Sequence, residues 1–356
     1  MARQFIPFDK LWNLQVPVPY SGLVIDGDRA WSAGLLPLDT DGDVRFPANP
    51  IEQARVIISY AKTLLEQGGL KEDAVSRVVL YLAPHETATI GRLVEMFSEA
   101  FDRDTLVETV PVPHFHYGGA LIQADIFCSP SEPVTFEDLP GGGHVRVKRE
   151  GGLILMNLTA PVETLGRAVG GLLHQHELSP GQLLSGWGIA PEPVLAAVPG
   201  QIAPRLPGFF SGALMPCYNI FDKVHLYLTF SQGMVDIVES REENVRLHLA
   251  DTGDIAVLDG RYLGGAAVPL AQQTRVVMDG LAVALLQRGL SFANVVKSTT
   301  FFSDGNTVDE MHANMRIRKS FYPNPGPAST SVPIARMADP GAKARIELVL
   351  RPLADG

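Results

Sequence analysis

The sequence predicts an α/β (α+β) protein built from an internally repeated unit, in three copies. Three observations carry this expectation. The order strands, helix, strand, helix, strands occurs near both ends of the chain, and the helices of the two copies begin and end in similar residues. A stretch with a partial version of the same order lies between them. A chain of 356 residues has room for two or three compact units.

The first copy opens with a hairpin. Apolar residues alternate from Tyr20 to Pro37, and Asp26-Gly27-Asp28 supplies the turn. The period then changes to that of a helix, with Ile51, Ala54, Ile57, Ile58, Ala61, Leu64 and Leu65 on one stripe and Gly68-Gly69 as the stop. Val75–Leu82 reads as a buried strand and Thr87–Phe101 as a second helix, and 120–128 closes the unit as a strand. The third copy repeats this wording. Gly260–Pro269 is a strand, Ala271 opens a helix that stops at Gln287-Arg-Gly-Leu290, Val295–Phe302 is a buried strand, Val308–Phe321 a helix and Ala344–Leu350 the closing strand.

The middle is a worn copy. After a Ser/Pro/Gly-rich linker at Cys128–Gly143, Gly152–Pro161 reads as a strand, Thr164–His176 as a helix, Leu183–Ile189 as a strand and Tyr218–Phe230 as a closing strand. The proline-rich segment between Glu192 and Pro207 predicts a broken or absent helix. The expected units are 1–130, 140–232 and 233–356.

Composition narrows the function classes. An apolar fraction of 46% fills a core, and a net charge of −10 with no basic block argues against a nucleic-acid partner. No run of 18 apolar residues predicts a membrane span, and no signal-peptide pattern opens the chain, so a cytoplasmic address is expected. Two cysteines, Cys128 and Cys217, lie outside any C-x-x-C pair and read as reduced, buried thiols or as one disulfide.

The first and third copies resemble the reactive-intermediate deaminase (Rid, or YjgF) family. The residues that carry the resemblance are Pro19-Tyr20, Ser32-Ala-Gly34 with Pro37, Gln53-Ala-Arg55, Gly69-Leu70 and Val75 to Leu82. In the third copy they are Gln273-Thr-Arg275, Gly289-Leu290, Val295-Val296, Pro327 to Ser331 and Arg345-Ile-Glu347. The resemblance implies chorismate-mutase-like units with sheets inward and helices outward, and ligand clefts between neighbouring units. Three fused units would then make a single-chain pseudo-trimer. The alternative is a homo-oligomer of such chains.

The resemblance also implies chemistry without metal or organic cofactor, in which imines and enamines are hydrolysed. An arginine in a Pro-x-Arg-Ser/Thr stretch grips the substrate carboxylate, a glutamate on the last strand handles water, and a tyrosine from the neighbouring unit closes the cleft. Tyr20 matches that tyrosine. The arginine position holds Ser329 in the third copy, Phe209-Phe-Ser-Gly in the second and Val107-Glu-Thr-Val in the first. The glutamate position holds Gln123, His225 and Arg345.

Residues i and i+2 of a strand share a face, so each closing strand supplies its own candidates. His225, Glu347 and Tyr20 are the candidate catalytic residues. Arg345, Gln123, His114, Tyr218, Ser329 and Ser331 are the candidate substrate-binding residues, and no metal ligands are assigned. Each has a structural alternative. His114-Phe-His116 reads as a loop pair or as two ligands on a strand, and His174-Gln-His176 as a helix cap. His225 reads as an acid–base group or as a histidine bonded to backbone, and Arg345 with Glu347 as a cross-strand pair. Cys217 as a nucleophile is a further idea. Cyanuric acid hydrolases and barbiturases resemble triple-unit relatives, but Ser185-Gly186 and Ser211-Gly212 lack their Ser-Lys set. The expected function is a cofactor-free enzyme acting on a small polar metabolite. A non-catalytic ligand-binding or scaffold protein and a chorismatase-like lyase or hydrolase are the alternatives.

Overall fold

Alternation and helical period build the same sheet three times. The structure is a computed structural model that describes residues 2–85, 87–206, 214–217, 223–303, 307–337, 339 and 341–353. The first unit contains β1 (Gln4–Ile6), β2 (Leu23–Asp26), β3 (Arg29–Ser32), α1 (Pro50–Gln67), β4 (Val75–Leu82), α2 (Thr87–Ala100), β5 (Leu106–Pro111) and β6 (Ile122–Cys128). The second contains β7 (Thr135–Leu139), β8 (Gly143–Glu150), β9 (Leu153–Ala160), α3 (Val162–Gln175), β10 (Leu183–Pro191), α4 (Val198–Ile202), β11 (Leu214–Cys217) and β12 (Val224–Ser231). The third contains β13 (Asp236–Glu242), β14 (Val245–Asp251), β15 (Ala256–Tyr262), α5 (Leu270–Gln287), β16 (Val295–Phe302), α6 (Val308–Lys319), β17 (Ala328–Pro333) and β18 (Ala344–Leu350).

The sheets run β1-β2-β3-β6-β4-β5, β7-β8-β9-β12-β10-β11 and β13-β14-β15-β18-β16-β17. Counted within each unit, the order is the same. The closing strand inserts antiparallel between the third and fourth strands, and the fourth and fifth strands pair parallel. The middle segment is therefore a complete unit. The second sheet begins at Thr135, inside the segment expected to be linker. The hairpin β13-β14, on which the sequence pattern is silent, opens the third unit. Both β7 and β13 are mostly exposed edge strands, so neither carries the alternation that marks a half-buried strand. The proline-rich segment holds one 3₁₀ turn, Leu195–Ala197, followed by the single-turn α4, which agrees with the expected break.

The repeated helix wording has two causes. Gln53 and Gln273 stand fourth in α1 and α5 and are fully buried. Gln53 donates to the carbonyls of Phe46 and Gly119 and accepts from Leu121 N. Gln273 does the same with Val268, Gly341 and Lys343. Each glutamine staples two loops to its helix, and Leu165 holds the fourth position of α3 in the second unit. The helix stops also match. Leu70, Leu178 and Leu290 donate to the carbonyls of Leu65, Leu173 and Leu285 across a left-handed residue, which is Gly69, Glu177 or Gly289.

The inner faces of the three sheets meet. One buried cluster joins Val79, Tyr81 and Val110 of the first unit to Ile189 and Tyr227 of the second and Phe301 and Val332 of the third. Another joins Trp31, Leu153, Leu184, Val257 and Ala328. The third residues of the fourth strands, Arg77, Ser185 and Lys297, line a shared cavity of about 110 Å³. The first and third units are also sewn together by backbone. Ser21 N bonds Pro327 O, Gly34 N bonds Ser329 O and Gly326 N bonds Pro19 O. Lys297, 1% exposed, donates to Asp125 Oδ1 at 2.8 Å, to Thr330 Oγ1 and to Ser32 O across this seam.

Two predictions follow from these contacts. Asp125→Ala leaves the Lys297 ammonium buried without its carboxylate and is expected to cost about 3–5 kcal/mol. The pair Asp125→Leu with Lys297→Met is expected to recover most of that loss, and urea unfolding of the natural protein, Asp125→Ala and the double variant checks it. Glu177 sits at φ 54°, where its two counterparts are glycine. Glu177→Gly is expected to stabilise the fold by about 1 kcal/mol, measured as a rise in Tm.

Candidate functional site

The register of the sheets puts Gln123, His225 and Arg345 at equivalent places on the closing strands β6, β12 and β18. Val107 and Ser329 are equivalent likewise on β5 and β17. Each closing-strand residue faces a different junction between units.

At the junction of the first and third units, Tyr20, Gly34 and Gln123 meet Ser329 and Ser331 across a cavity of about 50 Å³. His116 and the α6 residues Met311 and Met315 complete the wall. Four of the sequence candidates thus converge here from positions far apart in the chain. The Tyr20 ring packs edge-on against Tyr322, 5.8 Å between centroids, with its hydroxyl beside Ser329. Burial raises its pKa, against the lowering effects of Arg318 and Ser329. Gln123 Oε1 is buried without a hydrogen-bond partner among the described residues. Its amide nitrogen lies so close to Gly34 that an added Cβ would come within 2.2 Å. Glycine at 34 is what admits the Gln123 amide.

His116 rather than His114 lines this cleft. The two rings are 5.0 Å apart in the loop between β5 and β6, and His116 packs on Phe302. Arg318, which the sequence reading passed over, lies behind Ser331 and donates to it at 2.6 Å. The available signal was its place on the inward stripe Met311, Met315, Arg318 of α6, whose spacing of four and three residues marks one helix face.

The other junctions differ. Between the first and second units, His225, His144, Arg146 and Thr159 line a cavity of about 370 Å³, with His225 Nδ1 3.0 Å from Thr159 Oγ1. Between the second and third, Arg345 faces a pocket of about 20 Å³. Its guanidinium is held by Asp259 at 2.5 Å and Glu347 at 3.2 Å. Arg345 and Glu347 do pair, but along one strand, since both stand on β18; the cross-strand partner of the guanidinium is Asp259 on β15, and both groups are engaged within the protein. Burial raises the Glu347 pKa, with Arg345 opposing it.

The candidate catalytic residues are thus not brought together. Tyr20 lies at one junction, His225 at a second, and Glu347 between the third junction and the shared central cavity. Tyr218, the 209–212 stretch and the Cys217 side chain lie outside the described residues. Cys128 is a free, buried thiol whose pKa burial pushes up to about 12. His176 caps the C-terminal end of α3 and lies 3.4 Å from Glu137.

No family model matches the sequence. The mitochondrial protein mmf2 of the fission yeast Schizosaccharomyces pombe, a Rid protein, is 31% identical over 100 residues, covering 28% of this chain and 75% of mmf2. Among solved structures, a putative endoribonuclease of Thermotoga maritima is 22% identical, covers 35% of this chain and 95% of that chain, and has a TM-score of 0.31. RidA of an Antarctic Psychrobacter is 20% identical over 35% of this chain and 98% of its own, with a TM-score of 0.31. The relative with two thirds or more of its length matched, together with the ordered residues of the first unit, gives the assignment: the chain belongs to the reactive-intermediate deaminase (Rid/YjgF) family.

Proposed function

We propose that the chain is a cofactor-free hydrolase of a small polar metabolite with an imine, enamine or enol-like centre, working at the junction of its first and third units. The observation that carries this reading is the convergence of Tyr20, Gln123, Ser329 and Ser331 on one cavity, with the His116 imidazole in its wall. The unpartnered Gln123 Oε1 accepts a hydrogen bond from a bound water and aims the water oxygen at the substrate carbon. The oxygen bonds to that carbon, the C=N electron pair moves to nitrogen, and His116 supplies the proton the nitrogen takes up. One proton of the added water then passes to the nitrogen, cleavage of the C–N bond forms the carbonyl and releases ammonia, and the other water proton returns to the imidazole. Tyr20, packed on Tyr322, closes the cavity.

A second reading has its own support. Gln123 and Ser329 replace the glutamate and arginine of the family pattern, and neither changes charge at any ordinary pH. That favours a protein which binds such metabolites without turning them over. Ammonia release from 2-imino acids generated in solution by an amino-acid oxidase separates the two. Release faster than in buffer supports hydrolysis, and His116→Asn is then expected to lower kcat by about 100-fold or more. Gly34→Ala displaces the Gln123 amide and is expected to lower turnover by about tenfold, with a stability cost of about 1–3 kcal/mol. Binding with no release above buffer leaves the second reading.

We propose also that one chain works alone as a single-chain pseudo-trimer. The support is that all three inner sheet faces are already paired with one another. Light scattering behind size exclusion is expected to give the mass of one chain, and a stable trimer of chains would contradict it.

A further inference from the structure

Arg318 places a cation among neutral side chains. The residue is 1% exposed. Its guanidinium donates to Asn314 Oδ1 at 2.7 Å, Thr300 Oγ1 at 2.9 Å and Ser331 Oγ at 2.6 Å, all neutral acceptors. Among the described residues no carboxylate lies within ion-pair distance of it, whereas buried Lys297 has Asp125 and buried Arg345 has Asp259 and Glu347. A buried cation without a counter-charge is costly, and an anion brought near it recovers part of that cost.

The hydrogen-bond directions around it are fixed. The Thr274 hydroxyl donates to Leu270 O, so it accepts from Asn314 Nδ2. That turns Asn314 Oδ1 toward Arg318 Nε. At the other end Ser331 Oγ accepts from Arg318 Nη2, and a hydroxyl has a single proton left to give. No described acceptor takes that proton, and Ser331 lines the cavity between the first and third units.

We infer that Arg318 is a positioning residue that makes this cleft prefer an anionic ligand group, by polarising the Ser331 hydroxyl so that it donates into the cavity. The inference rests on the cleft being the ligand site. A hydroxyl backed by a guanidinium is a charge-assisted donor, stronger toward an anion than toward a neutral oxygen. It offers one bond where an arginine fork offers two, so it reads negative charge rather than the planar shape of a carboxylate.

Acetate and acetamide have the same shape and differ in charge, which makes them the probes. Methionines labelled with ¹³C in the methyl group report on this cleft, because Met311 and Met315 line it. Titration is expected to show acetate binding about tenfold more tightly than acetamide to the natural protein. Arg318→Leu and Ser331→Ala are each expected to bring the two probes within about twofold, and Ser331→Thr, which keeps the hydroxyl, to restore the preference. Ser331→Ala leaves the Arg318 side chain in place, so it answers the question if Arg318→Leu does not fold. Equal binding of both probes to the natural protein overturns this inference and leaves the cleft a ligand site. A preference that survives Ser331→Ala overturns it also. Binding of neither probe overturns the cleft reading and this inference together.

Discussion

The ion pair between Lys297 and Asp125 is the contact on which the arrangement turns. It joins β16 of the third unit to β6 of the first, the one pair of units that no linker connects. Lys297 spends all three of its protons on Asp125, Thr330 and Ser32 O, and Asp125 also accepts from Thr330 and Tyr81. Desolvation lowers the lysine pKa and the aspartate opposes that shift. Neither charge tolerates the loss of the other at this depth, so the pair fixes the register of two units that are far apart in sequence. Ser329, Thr330 and Ser331 are held in one stretch of β17 by it. The cleft is built on the residues either side of Thr330.

The cleft proposed above as the ligand site lies at this seam. Between consecutive units a linker limits how far apart the sheets drift. Between the first and third units every restraint is a contact: backbone bonds at Pro19, Ser21 and Gly34, the ion pair, and the apolar core that runs through Tyr20 and Tyr322. The same residues that hold the seam shut give the cavity its walls.

Much of the fold was legible because alternation and helical period report burial, and the two well-preserved units are buried as the pattern expects. β4, β16 and β18 follow from their runs of Val, Leu, Ile and Phe. What escaped was exposed or compensated. β7 and β13 face solvent along an edge, so charged residues interrupt them without penalty. The middle unit has Leu165 where the other two have a helix-start glutamine and Glu177 where they have a helix-stop glycine, so it lacks the two most readable signs of the repeat. At the site, Gln123, Ser329 and Ser331 were legible through their places on strands, and Tyr20, which precedes β2, through its match to the family tyrosine. Arg318 was not, because its partners come from α6, β16 and β17 and meet only when the helix folds over the sheet. His116 displaced His114 for a similar reason: a loop has no fixed period to say which of two rings turns inward.

Gln123, His225 and Arg345 occupy one structural position written three times in a single chain. In a ring of identical subunits, a substitution at that position arrives in every cleft at once, and its strain is multiplied by the number of copies. Here it arrives at one junction, and the other two are unchanged. The middle unit differs from the other two at both helix ends, at Leu165 and Glu177. Fusion of the units therefore lowers the step height of variation at each cleft to a third, and separates the fate of a binding surface from the fate of the fold.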